Sequence, residues 1–223
     1  MLRTMTPELL SALILFAFAS SITPGPNNIM LMASGVNFGM RRTLPHMLGV
    51  SLGHGAMTLI LGLGLVRIFE LIPWLRSALT IVSVFYLLWL AWKVAHAAPP
   101  PDAREGSRPL SFLQAAGFQW VNPKAVYMAV YAQTTFAPEG SGWIGAVIVA
   151  GVFAMTNLPS VATWAWGGTQ IRRWLRAGAR LRIFNWTMAA LLVASLYPML
   201  AALLAAEVVS RSFAVVLPPA PPF

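Results

Sequence analysis

Thr23-Pro24-Gly25-Pro26-Asn27-Asn28 interrupts one apolar run of this chain, and Asn122-Pro123-Lys124 interrupts another in its second half. The apolar lead-ins, residues 9–23 and 110–122, are similar in length, so the breaks fall at corresponding depths. In hydrocarbon a backbone carbonyl or amide without a partner is costly, and such a break persists only where it faces protein or a cavity. Paired proline interruptions at matching positions of two halves point to the binding site of a transporter built from an internal repeat. The chain therefore reads as a small membrane transporter.

Composition agrees. Of 223 residues 58% are hydrophobic and 9% charged, with mean hydropathy +0.71; a soluble domain has roughly 25% charge. The length holds about six spans of roughly 20 residues with short loops, so one transmembrane domain over 1–223 is expected and no sizeable soluble domain beside it. The net charge of +9 would suggest nucleic acid in a soluble chain, but the cations cluster in loops between apolar runs, so no nucleic-acid partner is expected. With no cysteine, disulfides, thiol catalysis and cysteine metal sites are excluded. Arg3 and the run into Phe18-Ala19-Ser20-Ser21 imitate a secretory signal, yet hydrophobicity resumes at Ile29-Met30-Leu31-Met32, so a retained first span is expected.

Six candidate spans follow, at about 9–37, 44–66, 73–97, 110–136, 142–166 and 183–209. They read as helices because the runs are continuous and lack the alternation of barrel strands. Helix-entry chemistry marks Thr6-Pro7-Glu8, Thr43 before Pro45, and Pro73. The proline-rich linker 98–109 separates halves of about 1–97 and 110–209, three spans each, the arithmetic of a 3+3 inverted repeat with broken first and fourth helices. Arg3, Arg67, Arg76 and Arg211 fall on one side. Arg41, Arg42, Lys93, Arg104, Arg108, Arg172, Arg173, Arg176, Arg180 and Arg182 fall on the other. The richer side is expected to be cytoplasmic, with loops 38–43, 98–109 and 167–182 there and both termini outside. The tail 218–223 is too rich in proline for helix or sheet.

Pro24 and Pro26 donate no backbone hydrogen bond, and Gly25 between them tolerates backbone angles other residues avoid. A helix restarting at Pro26 aims free amides and the positive end of its dipole at the break, where an amino acid's carboxylate could sit, and Asn27 and Asn28 add amide donors and acceptors. The alternative is a simple proline kink; its repetition at Asn122-Pro123 favours a site. Lys124 is the one cation well inside a span, at a cost of at least about 2.5 kcal/mol. It could pair a substrate carboxylate, or bond carbonyls freed near Pro24, and the two roles are compatible. His54, in the glycine-rich Gly49-Val50-Ser51-Leu52-Gly53-His54-Gly55, is either a proton carrier or a satisfied buried histidine; the glycines read as helix-packing residues. Asn157, in Thr156-Asn157-Leu158-Pro159, either lines a cavity or satisfies carbonyls freed by a second kind of break at Pro159. Tyr86, Trp89, Trp92, Trp164 and Trp166 read as interfacial or packing aromatics with no cation site. No carboxylate lies deep in a span, since Glu8, Glu70, Glu139 and Glu207 sit near ends and Asp102 and Glu105 in the linker. No nucleotide loop or metal set is present, and no cofactor is expected.

This order of motifs resembles the LysE/RhtB family of amino-acid exporters. The matching pieces are Thr23-Pro24-Gly25-Pro26-Asn27 with Gly39 and Arg41-Arg42, the Gly49-x-x-x-Gly53 helix ending at Gly62-Leu63-Gly64, and Tyr86-Leu87-Leu88-Trp89-Leu90-Ala91-Trp92-Lys93. Gly117-Phe118, Asn122-Pro123-Lys124-Ala125, Asn157-Leu158-Pro159 and Trp164 follow. The resemblance covers nearly the whole chain. It implies an all-α, six-helix protein of the bacterial plasma membrane that exports amino acids or close derivatives on the proton gradient, with amino acid, protons and lipid as partners and room for a homo-oligomer. Two departures are visible: Thr23 stands where many members have glycine, and the fifth span lacks an acid that some members carry, which leaves the coupling open. A carrier of another small zwitterion is the nearest alternative, and a scaffold or channel subunit would leave the matched breaks unexplained. An intramembrane enzyme would need a nucleophile with its base, or a metal set, which His46, His54 and His96 without a deep carboxylate do not supply.

Overall fold

A computed structural model describes residues 5–65, 71, 73–96, 108–138, 140–172, 174–175 and 178–197, and among these every regular element is helical. Helix α1, Pro7–Ile22, starts under Thr6, whose hydroxyl accepts the Leu9 amide at 3.2 Å, with Glu8 in the first turn where the dipole favours it. Helix α2, Pro26–Phe38, follows the break at an angle of 55°. Gly39, at φ 79, ends α2 and also begins α3, Met40–Ile60; this left-handed angle strains residues with a Cβ. The expected helix entry at Thr43 is therefore corrected to Met40, and the expected loop 38–43 shrinks to a one-residue joint. Thr43 turns inward instead, donating to the Gly39 carbonyl at 2.9 Å and sharing a 2.8 Å hydrogen bond with Ser34, while Pro45 lies inside the helix.

A π-turn, Leu61–Leu65, ends α3 with Gly64 at φ 120. Helix α4 is Pro73–Ala95. Helix α5, Phe112–Val121, carries a capping box between Ser111 and Gln114, and α6, Pro123–Phe136, begins directly beyond Asn122. Helix α7, Trp143–Arg172, passes Pro159 without ending, so neither a break there nor a loop starting at 167 is present. Ser160 and Thr163 hydroxyls beside it bond the carbonyls of Thr156 and Pro159, one turn back in each case. Helix α8 is Gly178–Ala194.

By length and composition α7 and the segment Met40–Gly64 can each cross a membrane, and the bent α1–α2 pair qualifies as one further span. The other expected spans correspond to α4, the α5–α6 pair and α8. The continuation of the sixth toward residue 209, the linker 98–107, Arg3, Arg67, Arg173, Arg176, Arg211 and the tail 218–223 lie outside the described residues.

Glycines set the centre of the bundle. A Cβ on Gly35 would meet the Ala165 backbone oxygen and one on Gly168 the Met32 oxygen, so α2 and α7 cross in backbone contact. Gly49 and Gly53 lie against Phe112, Ala115 and Ala116 of α5, and Gly55 against Ala154 of α7, which the Ser51 hydroxyl also reaches, donating to the Ala154 carbonyl at 2.8 Å. The packing role read for these glycines is what the helices use. Trp89 differs from its sequence reading: the Lys93 ammonium sits 4.7 Å from its ring centre, a cation–π contact.

Candidate functional site

A helix that stops among apolar neighbours leaves its last carbonyls without intrahelical partners. At the end of α1 each carbonyl of residues 19–25 has a donor. The Thr23 amide serves Ala19 and the Thr23 hydroxyl Ser20. The Asn28 side-chain amide donates to Ser21 at 2.7 Å and to Thr23 at 2.8 Å. Trp164, reaching from α7, gives its indole N–H to Ile22 at 2.9 Å. Lys124 donates to the carbonyls of Thr23 at 2.9 Å and Pro24 at 3.3 Å, and the Ile29 amide bonds Gly25 at 3.0 Å. With a third bond to Thr23 Oγ1 at 2.9 Å, all three N–H groups of the Lys124 ammonium are engaged.

Gly25 makes this approach feasible. Its φ of −177 is ordinary extended backbone, which corrects the expectation of an unusual angle. The requirement is space, since a Cβ there would stand 2.9 Å from Lys124 Cδ and 3.2 Å from Nζ.

The second break is built differently. Asn122 caps α6, its side-chain oxygen accepting the Lys124 amide at 3.2 Å. Across to the first break, Asn27 and Gln119 pair reciprocally, Asn27 Nδ2 to Gln119 Oε1 at 2.8 Å and Gln119 Nε2 to Asn27 Oδ1 at 3.2 Å. Gln119 is fully buried and also donates to the Ala115 carbonyl. By contrast α2 starts at Gly25 with no capping side chain, so its first amides at Asn27 and Asn28 present the positive end of the helix uncapped.

The two breaks share one cavity. It is lined by Ser20, Ser21, Gly25, Pro26, Asn27 and Asn28 of the first break, Asn122, Lys124, Ala125 and Met128 of the second, His54 of α3, and Asn157 and Val161 of α7. Its volume of about 30 Å³ has room for a few waters. Of the site candidates read in the sequence, Gly25, Pro26, Asn27, Asn28, His54, Asn122, Lys124 and Asn157 are on this wall, and Pro24 contributes the carbonyl held by Lys124. Asn157 lines the cavity rather than mending Pro159, and the His54 ring packs edge-on against Phe153 with centres 5.0 Å apart.

Three of the residues lining it carry a buried side-chain atom, Ser21 Oγ, His54 Nε2 and Asn157 Oδ1, with no hydrogen-bond partner among the described residues. Buried polar atoms are nearly always bonded, so these three call for partners that the described residues do not supply. Sequence reading did not single out Ser21, Gln119 or the bond of Trp164. Ser21 and Gln119 sit in apolar runs where nothing local distinguishes them, and Trp164 looked like any interfacial aromatic.

A family model for LysE type translocators matches residues 18–204, a stretch containing both breaks and all the cavity-lining residues. The chain belongs to the LysE type translocator family. It is therefore a multi-pass membrane transporter and not an enzyme. It is similar to the cysteine/O-acetylserine efflux protein of Klebsiella pneumoniae subsp. pneumoniae, 33% identical over 195 residues covering 85% of this chain and 95% of that protein. Proteins of the same name from Escherichia coli strain K12 and Salmonella typhimurium are 32% and 31% identical, over 85% and 77% of this chain and 96% and 88% of theirs. No solved structure matches the chain.

Proposed function

We propose that this LysE-type translocator exports a small zwitterionic amino acid, or an O-acyl derivative of one, across the bacterial inner membrane, with cysteine and O-acetylserine as the first cargoes to test. The observation that carries the reading is the convergence of both helix breaks on one polar cavity, where Lys124 is the one charged group among the described lining residues. The uncapped amides of α2 and the Lys124 ammonium favour a carboxylate at one end. Among the described residues the cavity has no carboxylate to balance a cationic side chain, which disfavours lysine or arginine as cargo. The relatives named as cysteine/O-acetylserine efflux proteins support the same cargo class.

A cavity with room for a few waters is smaller than an amino acid, so it represents a closed form whose walls part on loading. In the 3+3 reading, halves 1–97 and 110–209 rock about this fixed site, the proton gradient drives the cycle through His54, and both termini lie outside. The matching construction supports the repeat: each half has a helix ending at a break, a second restarting with proline at its first position, and long third helices, α3 and α7, packed on each other.

The test is counterflow in proteoliposomes containing the purified chain. Vesicles preloaded with unlabelled L-cysteine under reducing conditions are expected to accumulate external labelled L-cysteine or O-acetyl-L-serine transiently, and labelled L-lysine not at all. Accumulation equal to that of protein-free vesicles would refute the cargo reading.

A further inference from the structure

The proposed function places a carboxylate near Lys124 and α2 and leaves the other end of a zwitterion unassigned. An α-ammonium has three N–H donors and no acceptor. Residues of the wall carry three buried atoms that can each accept and that no group among the described residues occupies: Ser21 Oγ on α1, His54 Nε2 on α3 and Asn157 Oδ1 on α7. Their residues are 5%, 1% and 5% exposed, so bulk water does not compensate them. We propose that Ser21, His54 and Asn157 form the subsite for the cargo ammonium, where a proton on His54 Nε2 and the cargo exclude each other. This rests on the zwitterion reading above and adds its second anchor.

The exclusion follows from what His54 offers. A neutral imidazole with its hydrogen on Nδ1 presents Nε2 as an acceptor; a proton there turns the acceptor into a donor and sets a positive charge against the ammonium. The proton moves between solvent and Nε2, and no covalent bond of the cargo changes. Among the residues lining the cavity the other titratable group is Lys124 of α6, already cationic and bonded to Thr23 and Pro24; α1, α2 and α7 contribute none to the wall. Phe153 of α7 packs against the ring at a steep angle, centres 5.0 Å apart. Loading the cargo thus requires His54 to be neutral, and protonating it favours release, which is exchange of a proton for a cargo at one atom.

The experiment is calorimetric binding to the purified full-length chain, using L-cysteine and 3-mercaptopropionate, the same molecule without its ammonium. Wild type is expected to bind L-cysteine at least tenfold more tightly. Ser21→Ala and Asn157→Leu are expected to weaken L-cysteine about tenfold each while leaving 3-mercaptopropionate unchanged, and to unfold at no lower temperature than wild type, because each removes an unpartnered buried group. Binding of L-cysteine to wild type should weaken as pH falls through the titration of His54. His54→Gln, which keeps an acceptor but does not titrate, should bind with little pH dependence. Equal affinities for the two probes, variants that weaken both alike, or a pH dependence surviving in His54→Gln would each overturn the subsite while leaving the cargo reading intact. Wild type that binds neither probe would overturn both.

Discussion

Lys124 reaches across the first break and meets three oxygens belonging to Thr23 and Pro24. The two roles read for it in sequence were compatible, and this geometry supplies the architectural one: the ammonium closes carbonyls at the end of α1, while the residue also lines the cavity. Lys124→Met keeps the stem and removes the donors, so two carbonyls lose a charged partner at a cost of about 2 kcal/mol. We expect a lower midpoint of thermal unfolding in detergent together with lost binding of L-cysteine. Lys124→Arg should recover only part of either, because a planar fork does not match three acceptors clustered about one nitrogen. A Lys124→Met protein as stable as wild type would show that these bonds contribute nothing. Gly25→Ala should weaken L-cysteine binding with a smaller stability loss, since its new methyl meets the movable end of Lys124 and shifts the ammonium rather than the backbone.

The breaks themselves belong to the scale of elements, and they differ in a way that predicts unequal costs. Asn122 caps α6 with one bond, so Asn122→Ala should cost about 1 kcal/mol of stability. Asn28 holds two α1 carbonyls from a site only 3% exposed, and Asn28→Ala should cost more than Asn122→Ala by the same thermal measurement. The reverse order would mean that the α1 carbonyls find other donors. Both breaks were legible in the sequence because proline removes a donor wherever it stands. Asn27 was legible as a polar residue at a break, but not its partner Gln119, which is 92 positions away and read as one polar residue in an apolar run. Thr43 misled for a related reason: a threonine before a proline signals helix entry, yet a glycine that accepts a left-handed angle at residue 39 had already started the helix. Ser21 shows the limit most clearly, because a serine near a helix end usually bonds its own backbone, and only the assembled cavity reveals that this one does not.

On the scale of the whole molecule, the topology we propose from cation asymmetry has the α7–α8 connection inside the cell and the α6–α7 connection outside. The chain has no native cysteine, so single replacements read this cleanly. In intact cells Ser141→Cys should react with an impermeant thiol reagent and Ala179→Cys should not; the opposite pattern would invert the topology. The central claim is that the cavity where the two breaks meet is the route for an exported amino acid. It is tested most directly in inside-out membrane vesicles with an acidic lumen, where export in the cell appears as uptake of labelled L-cysteine kept reduced. Uptake should exceed equilibrium, fall back to equilibrium when the proton gradient is collapsed, and at low cargo concentration drop about tenfold in Asn157→Leu, whose side chain no longer offers the cavity a polar atom. Uptake by wild type no greater than in vesicles lacking the protein, or full uptake by Asn157→Leu, would contradict it.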